Sequence, residues 1–192
     1  MNSQHNGEFK VGIAGAGGIG SSVAHLLVRS GVQHLTLVDF DRVEASNLNR
    51  QFYFHDQIGM DKTAMLAQNL KRINPQVSID AVCDRLDVHN IKARFRHCNI
   101  IVEGLDNKET KKQLVEAFAG TSIPVICASG IAGDDLSTIG IKSMGNLIIV
   151  GDLITDEADN LLFPPKVHIV AALMVAEVLQ RMGSMRDGDG HK

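Results

Sequence analysis

Cysteine is scarce: Cys83, Cys98 and Cys127 are the only three in 192 residues, widely separated and odd in number. A disulfide framework is excluded, and without a Cys-x-x-Cys pair no structural zinc is expected. The eight histidines form no metal-ligand pattern. His168 and Glu177 are nine apart, which gives no ligand spacing, and His25 is expected at the edge of the core. An excess of one charge is also lacking. A net charge of -3 offers no bulk attraction to nucleic acid or an anionic membrane. The run Met1 to Glu8 lacks the basic, apolar and small-residue regions of a signal peptide. The longest apolar run, about Val167 to Leu179, contains His168 and Glu177 and falls short of a membrane span. There are no internal repeats. A soluble, cytoplasmic protein is the expectation. With 44% hydrophobic residues, the chain has enough for one substantial core and is too short for two full domains.

What is present is an alternation of strand and helix signals. Phe9 to Ala14 is a short apolar strand, followed at once by Gly15-Ala16-Gly17-Gly18-Ile19-Gly20. Ser21 to Ser30 places Val23, Leu26 and Leu27 at helical spacing and closes at Gly31. His34 to Val38 is a second strand ending at Asp39, which completes a βαβ unit of about 30 residues. Asp41 to His55 has no clean period and is expected as a loop with short helical turns. Helices are expected over Lys62 to Ile73, stopped by Asn74-Pro75, over Asn90 to His97, and over Lys108 to Ala119. Strands are expected at Val77 to Val82, Asn99 to Glu103 and Pro124 to Ala128. Beyond Gly130, Ser137 to Lys142 and Asn146 to Gly151 suggest an antiparallel pair, and Pro165 to Met182 a long helix. The expected fold is α/β and Rossmann-like: a mostly parallel sheet with helices on both faces and a short antiparallel C-terminal extension. One nucleotide-binding domain over 1–182 and a disordered Gly- and Asp-rich tail over 183–192 follow from this reading.

The glycine run carries the first functional signal. Gly15 permits a tight turn, Gly17 and Gly18 let backbone N–H groups approach a phosphate, and Gly20 permits close helix–strand packing. The helix N-terminus adds partial positive charge at the same place. Asp39, 19 positions after Gly20, stands where a carboxylate accepts from ribose hydroxyls. The following segment places Asp41, Asn47, Arg50, Gln51 and Lys62 near the same loop. Arg50 and Lys62 could neutralise a triphosphate, which has more charge than a helix terminus satisfies; spacing alone leaves them equally well as solvated surface charges. Asp106 follows the strand that ends at Glu103, where it could hold a metal or cap the next helix. Cys127, within an apolar strand, reads as a small buried hydrophobe.

LVDFD (Leu37 to Asp41), SNLNRQ (Ser46 to Gln51), IGMDK (Ile58 to Lys62), RINP (Arg72 to Pro75) and LDN (Leu105 to Asn107) follow the glycine run in order. Together they resemble the ThiF/MoeB/HesA family, relatives of ubiquitin-activating enzymes, from about Val11 to Gly130. The segment Pro164 to His168 is similar to a compact ThiF-like subgroup associated with thiamine synthesis. The resemblance implies that Asp39 holds the ATP ribose and that Arg50 and Lys62 meet its phosphates. It places Asn47 and Gln51 in the same pocket and Mg²⁺ on Asp106, with Asp41 a weaker acidic candidate beside it. It further implies adenylylation of the C-terminal glycine carboxylate of a ThiS- or MoaD-like carrier protein by a homodimer, with Arg50, Lys62 and Asp106 as the catalytic set.

The chain also departs from that pattern. Longer members supply an arginine from an N-terminal helical segment, whereas only Met1 to Glu8 precede the first strand here. The family arginine five residues after the metal aspartate is Lys111. No cysteine follows Gly130, so a thioester or persulfide step is not expected. A non-catalytic scaffold that binds nucleotide or carrier is the alternative reading, and a nicotinamide-dependent oxidoreductase a more distant one.

Overall fold

Alternation along the central strands divides the core into two faces. Val11, Ile13, Leu35, Leu37, Ile100 and Val102 join one buried cluster, while Ala14, Val38 and Ile101 join another on the opposite side. A computed structural model describes residues 9–155 and 161–188, with side chains described to residue 184. Its elements are β1 (Lys10–Ala14), α1 (Gly18–Arg29), β2 (His34–Asp39), 3-10 turns at Ala45–Asn47 and His55–Gln57, and α2 (Lys62–Ile73). Then follow β3 (Ser78–Cys83), α3 (Ile91–Phe95), β4 (Ile100–Glu103), α4 (Lys108–Phe118), β5 (Val125–Ala128), β6 (Gly140–Met144), β7 (Leu147–Gly151) and α5 (Pro164–Gly188).

The seven strands form one sheet in the order β3-β2-β1-β4-β5-β7-β6. All neighbouring pairs are parallel except β6 with β7. The chain steps outward from β1 to β2 and β3, then crosses back to β4 on the other side. That reversal opens a crevice beyond the carboxyl ends of β1 and β4, where open α/β sheets take ligands. Helices α1, α2 and α5 cover one face through Val23, Leu27, Leu66, Leu70, Val170 and Met174. The other face is covered by α3 and α4 through Ile91, Phe95, Leu114 and Phe118.

The antiparallel pair does more than extend the sheet. Its second strand, β7, inserts beside β5 in parallel, and only β6 runs antiparallel at the edge. Burial explains the assignment: Ile148 and Val150 enter the core, whereas β6 is exposed throughout and carries Lys142 on the edge. α5 also continues past Met182 to Gly188. Nothing between Gly183 and Gly188 is a proline, so the backbone hydrogen bonding can continue; positions 189–192 of the expected tail lie outside the described residues. By length and composition α5 could cross a membrane, but Val167, Val170, Ala171, Met174, Val175 and Val178 are buried within the domain core. His168 ties α5 to α1, its Nδ1 lying 3.1 Å from the Ser22 hydroxyl. His25 stacks on Phe52 at 4.6 Å, at the edge of the core.

Candidate functional site

The crevice is a cleft of about 790 Å³, in the range of small-molecule sites. Nine of the expected site residues line it: Gly15, Gly17, Gly18, Asp39, Asp41, Arg50, Gln51, Lys62 and Asp106. β1 delivers the glycine turn, β2 delivers Asp39, β4 delivers Asp106, and the turn that follows the 3-10 helix Ala45–Asn47 delivers Arg50 and Gln51. Two expected residues stand elsewhere. Asn47 is turned inward, its Oδ1 accepting from Glu44 N at 3.0 Å to close the 3-10 turn. Gly20 lies beneath the turn, so close to it that a Cβ there would come 1.8 Å from the Gly15 carbonyl oxygen. Its part is packing, with Gly15 itself held at a φ of 90°.

Asp39 organises the turn from below. Its Oδ2 accepts from Ala16 N at 2.6 Å and its Oδ1 from Asp41 N at 2.7 Å. Burial pushes its carboxyl above the usual range, against the pull of those two N–H groups and of Lys62. Protonation therefore begins at a higher pH than for an ordinary aspartate. Where Asp39 accepts from a ribose, as the sequence leads one to expect, nucleotide affinity weakens as pH falls through that raised pKa, because the protonated carboxyl loses acceptor capacity. In Asp39→Asn the affinity should fall about tenfold at neutral pH and lose this pH dependence. Calorimetric titration with ATP at several pH values reads both effects.

The cations are held in reserve. Lys62 is 7% exposed and its Nζ donates to Asp41 Oδ2 at 3.0 Å. The aliphatic stem of Arg50 runs beside Gly18, while its Nη1 donates to Ser46 O at 3.0 Å and Asn49 Oδ1 at 2.8 Å. The Arg50 partners lie within four residues of it and the Lys62 partner Asp41 lines the same cleft, so a bound polyanion competes directly with them for either side chain. Gln51 Oε1 is buried with no hydrogen-bond partner, and the Gln51 amide nitrogen lies near Gly17. Asp106 is exposed, and the helix cap falls to its neighbour: Asn107 Oδ1 accepts from Thr110 N at 2.9 Å. Capping therefore does not account for Asp106.

Sequence reasoning missed the residues that bind the arginine segment to the glycine turn. Tyr53 OH donates to Ala16 O at 2.8 Å. The Ser21 hydroxyl accepts from Phe52 N at 3.0 Å and donates to Gly17 O at 2.6 Å. Burial, then the charges of Asp39 and Asp41, push the Tyr53 phenol up, so it remains a neutral donor. The one available signal was that Tyr53, the single tyrosine of the chain, closely follows the SNLNRQ run. Glu103, at the end of β4, is a buried acid that its apolar strand pattern does not announce. Its Oε1 accepts from Leu105 N at 2.7 Å, which orders the loop leading to Asp106. Lys111 Nζ stands 3.2 Å from Glu103 Oε2 in an ion pair off hydrogen-bonding alignment, and donates instead to Ala128 O at 2.8 Å. Burial raises the Glu103 carboxyl, with Lys111 the main opposing influence. Cys127 is buried and its thiol is pushed up by desolvation and by Glu103, which makes it unreactive.

A model of the ThiF family matches residues 3–189. The molybdopterin-synthase adenylyltransferase of Haemophilus influenzae is 33% identical over 123 residues, covering 64% of this chain and 51% of that protein. Ubiquitin-like modifier-activating enzyme 5 of Arabidopsis thaliana is 47% identical over 74 residues, covering 38% of this chain and 17% of that protein. The chain thus spans about half the length of the first of these relatives and less of the second. Among solved structures, the Escherichia coli tRNA N6-threonylcarbamoyladenosine dehydratase TcdA in complex with ATP superposes with a TM-score of 0.85. At 19% identity it covers 96% of this chain and 89% of that one, a likeness of fold.

Proposed function

The chain belongs to the ThiF family, and on that premise we propose that it transfers the adenylyl group of ATP to the C-terminal carboxylate of a ubiquitin-like carrier protein. The observation that carries this reading is one cleft, at the strand-order reversal, lined together by the glycine turn, Asp39, Arg50, Lys62 and Asp106. The adenylyltransferase and activating-enzyme relatives support the same reaction class, and a fold neighbour that holds ATP supports the nucleotide.

In this reading the ribose hydroxyls donate to the acceptor capacity left on Asp39, and the phosphates lie over the first-turn amides of α1. Lys62 leaves Asp41, and Arg50 leaves Ser46 O and Asn49, to meet the phosphates. A carboxylate oxygen of the carrier bonds to the α-phosphorus, and the bond from that phosphorus to the bridging oxygen of pyrophosphate breaks. The products are an acyl-adenylate and pyrophosphate. No side-chain nucleophile is required, so catalysis is positioning plus stabilisation of charge on the leaving group. Among the described residues no three His, Cys, Asp or Glu side chains cluster as a preformed metal site. Asp106 therefore fits a Mg²⁺ that arrives with phosphate oxygens rather than a resident ion. When bound, such an ion supplies neutralisation of phosphate charge.

Incubation with ATP, Mg²⁺ and a ThiS-type or MoaD-type carrier is expected to add the mass of one AMP to the carrier and to support carrier-dependent ATP–pyrophosphate exchange. Nucleotide binding with neither outcome would overturn the enzymatic reading in favour of a scaffold. The finer proposal, a ThiS-type carrier in thiamine biosynthesis, rests on the Pro164 to His168 resemblance, and AMP appearing on the MoaD-type carrier alone overturns it. A homodimer belongs to the same proposal and is read by sedimentation.

A further inference from the structure

Besides the Asp39, Lys62 and Asp106 set, the cleft is lined by Ser129, Gly130, Ile131, Thr155 and Leu162, and by Val167, which packs beside Gly18. These residues sit on separate pieces of chain: the loop after β5, the described stretches 152–155 and 161–163 after β7 (together the strap), and the first turns of α5. None of the six carries a charge, whereas the charged side chains Lys108, Glu109 and Lys111 line the cleft from α4, so this stretch suits an extended, small and uncharged peptide segment better than phosphate. The loop and the strap are joined by backbone bonds, from Leu153 N to Ser129 O at 3.3 Å, from Asp152 N to Gly130 O at 3.3 Å, and from Gly133 N to Leu161 O at 2.9 Å.

One side chain links all three pieces. Lys166, on the first turn of α5, is 0% exposed. Its Nζ donates to Ala132 O of the loop at 2.7 Å and to Asp152 Oδ2 of the strap at 2.7 Å. Asp152 in turn closes the strap, its Oδ1 accepting from Ile154 N at 2.8 Å and Thr155 N at 2.9 Å, and its Oδ2 from the Thr155 hydroxyl at 2.9 Å. Burial opposes the Asp152 charge, yet Lys166 and these donors hold its carboxyl well below the usual range. A buried ion pair is commonly no more stabilising than apolar residues of the same volume. Stability alone is therefore a poor account of a fully buried lysine whose donors bind the elements of a cleft wall.

We propose that the Lys166–Asp152 pair is a positioning device for the acceptor side of the cleft, fixing the wall along which the carrier's C-terminal tail lies so that its carboxylate reaches the nucleotide. This rests on the adenylating reading above. Neither residue lines the cleft, so both act through the residues they hold: Thr155 through Asp152, and Ile131 through Ala132. The device sets the apparent affinity for the carrier and acts on residues outside the Asp39, Lys62 and Asp106 set.

The test is the double variant Lys166→Met/Asp152→Asn. Methionine follows the lysine stem, and the asparagine side-chain oxygen can still accept from Ile154 N and Thr155 N, so the fold is retained while the link is cut. Carrier KM in pyrophosphate exchange is expected to rise about tenfold, with ATP affinity by calorimetry within about twofold of wild type. An unchanged carrier KM, or an ATP affinity falling in parallel, overturns the proposal. If the double variant does not fold, Asp152→Asn alone is read the same way: it weakens the ion pair, and an unshifted carrier KM in it overturns the proposal equally. Absence of exchange in the wild type with ThiS-type and MoaD-type carriers sinks the adenylating reading and this inference with it. Exchange in the wild type with no KM change in the variants sinks the inference alone.

Discussion

Lys62→Ala is expected to slow carrier adenylylation by about 10²–10³-fold, the loss typical when one preorganised charge-stabilising group is removed. Lys62 opens α2, and its ammonium is held inside the cleft wall by Asp41. That placement makes it a low-entropy donor: it has little freedom to lose when it exchanges a carboxylate for a phosphate. The stability cost should be small. Asp41, left without its partner, is 41% exposed on its side chain and can be rehydrated. The effect should therefore fall on kcat, with the unfolding midpoint little changed, and Lys62→Met should behave like the alanine variant because it keeps the stem and removes the charge. Exchange rates at saturating ATP and carrier, beside a urea unfolding curve, separate the two. A loss of less than tenfold would remove Lys62 from the catalytic set.

Gly20→Ala is expected to abolish nucleotide binding and to destabilise the domain by about 1–3 kcal/mol or more, the range for forcing an extra methyl into a closed space. The added Cβ would lie 1.8 Å from Gly15 O and 2.9 Å from Gly15 C. Both are backbone atoms, and Gly15 is itself hydrogen-bonded through its N–H to Val38 O at 2.8 Å. No rotamer change relieves the clash, so α1 must back away from the turn and carry its first-turn amides out of register with the phosphate position. Calorimetry should show no ATP binding, and urea unfolding a lower midpoint. Retained affinity in a folded variant would mean that the phosphates do not lie on this turn.

These two expectations differ in how far the sequence could have reached them. Gly20 stands out by spacing alone, since a strand, a glycine run and a helix in immediate succession permit few arrangements; that the constraint is contact with Gly15 O is set by the tertiary structure. Lys62 could be named only through resemblance, because spacing left it equally well a surface charge. Asn47 illustrates the limit. It lies within the same run as Arg50 and Gln51 and was expected to share their wall. A 3-10 turn, however, rotates side chains by about 120° per residue, and the Glu44–Asn47 capping interaction turns this one inward. Asp106 shows the reverse: two roles open in sequence separate once Asn107 is seen to hold the helix cap.

What the sequence determined by itself was whatever local patterning dictates. The two-residue period of the central strands, the helical spacing of Leu66 and Leu70, the stop at Asn74-Pro75 and the βαβ unit around the glycine turn all depend on neighbours within a few positions. The tertiary structure alone decided what depends on distant partners: β7 lying parallel to β5, Tyr53 bonded to Ala16 and Lys166 buried between Ala132 and Asp152. A lysine carries no mark in sequence of whether it will meet water or a carboxylate from another element. Only the packing of α5 against the loop after β5 and the segment after β7 excludes the water and brings the Asp152 carboxylate within 2.7 Å.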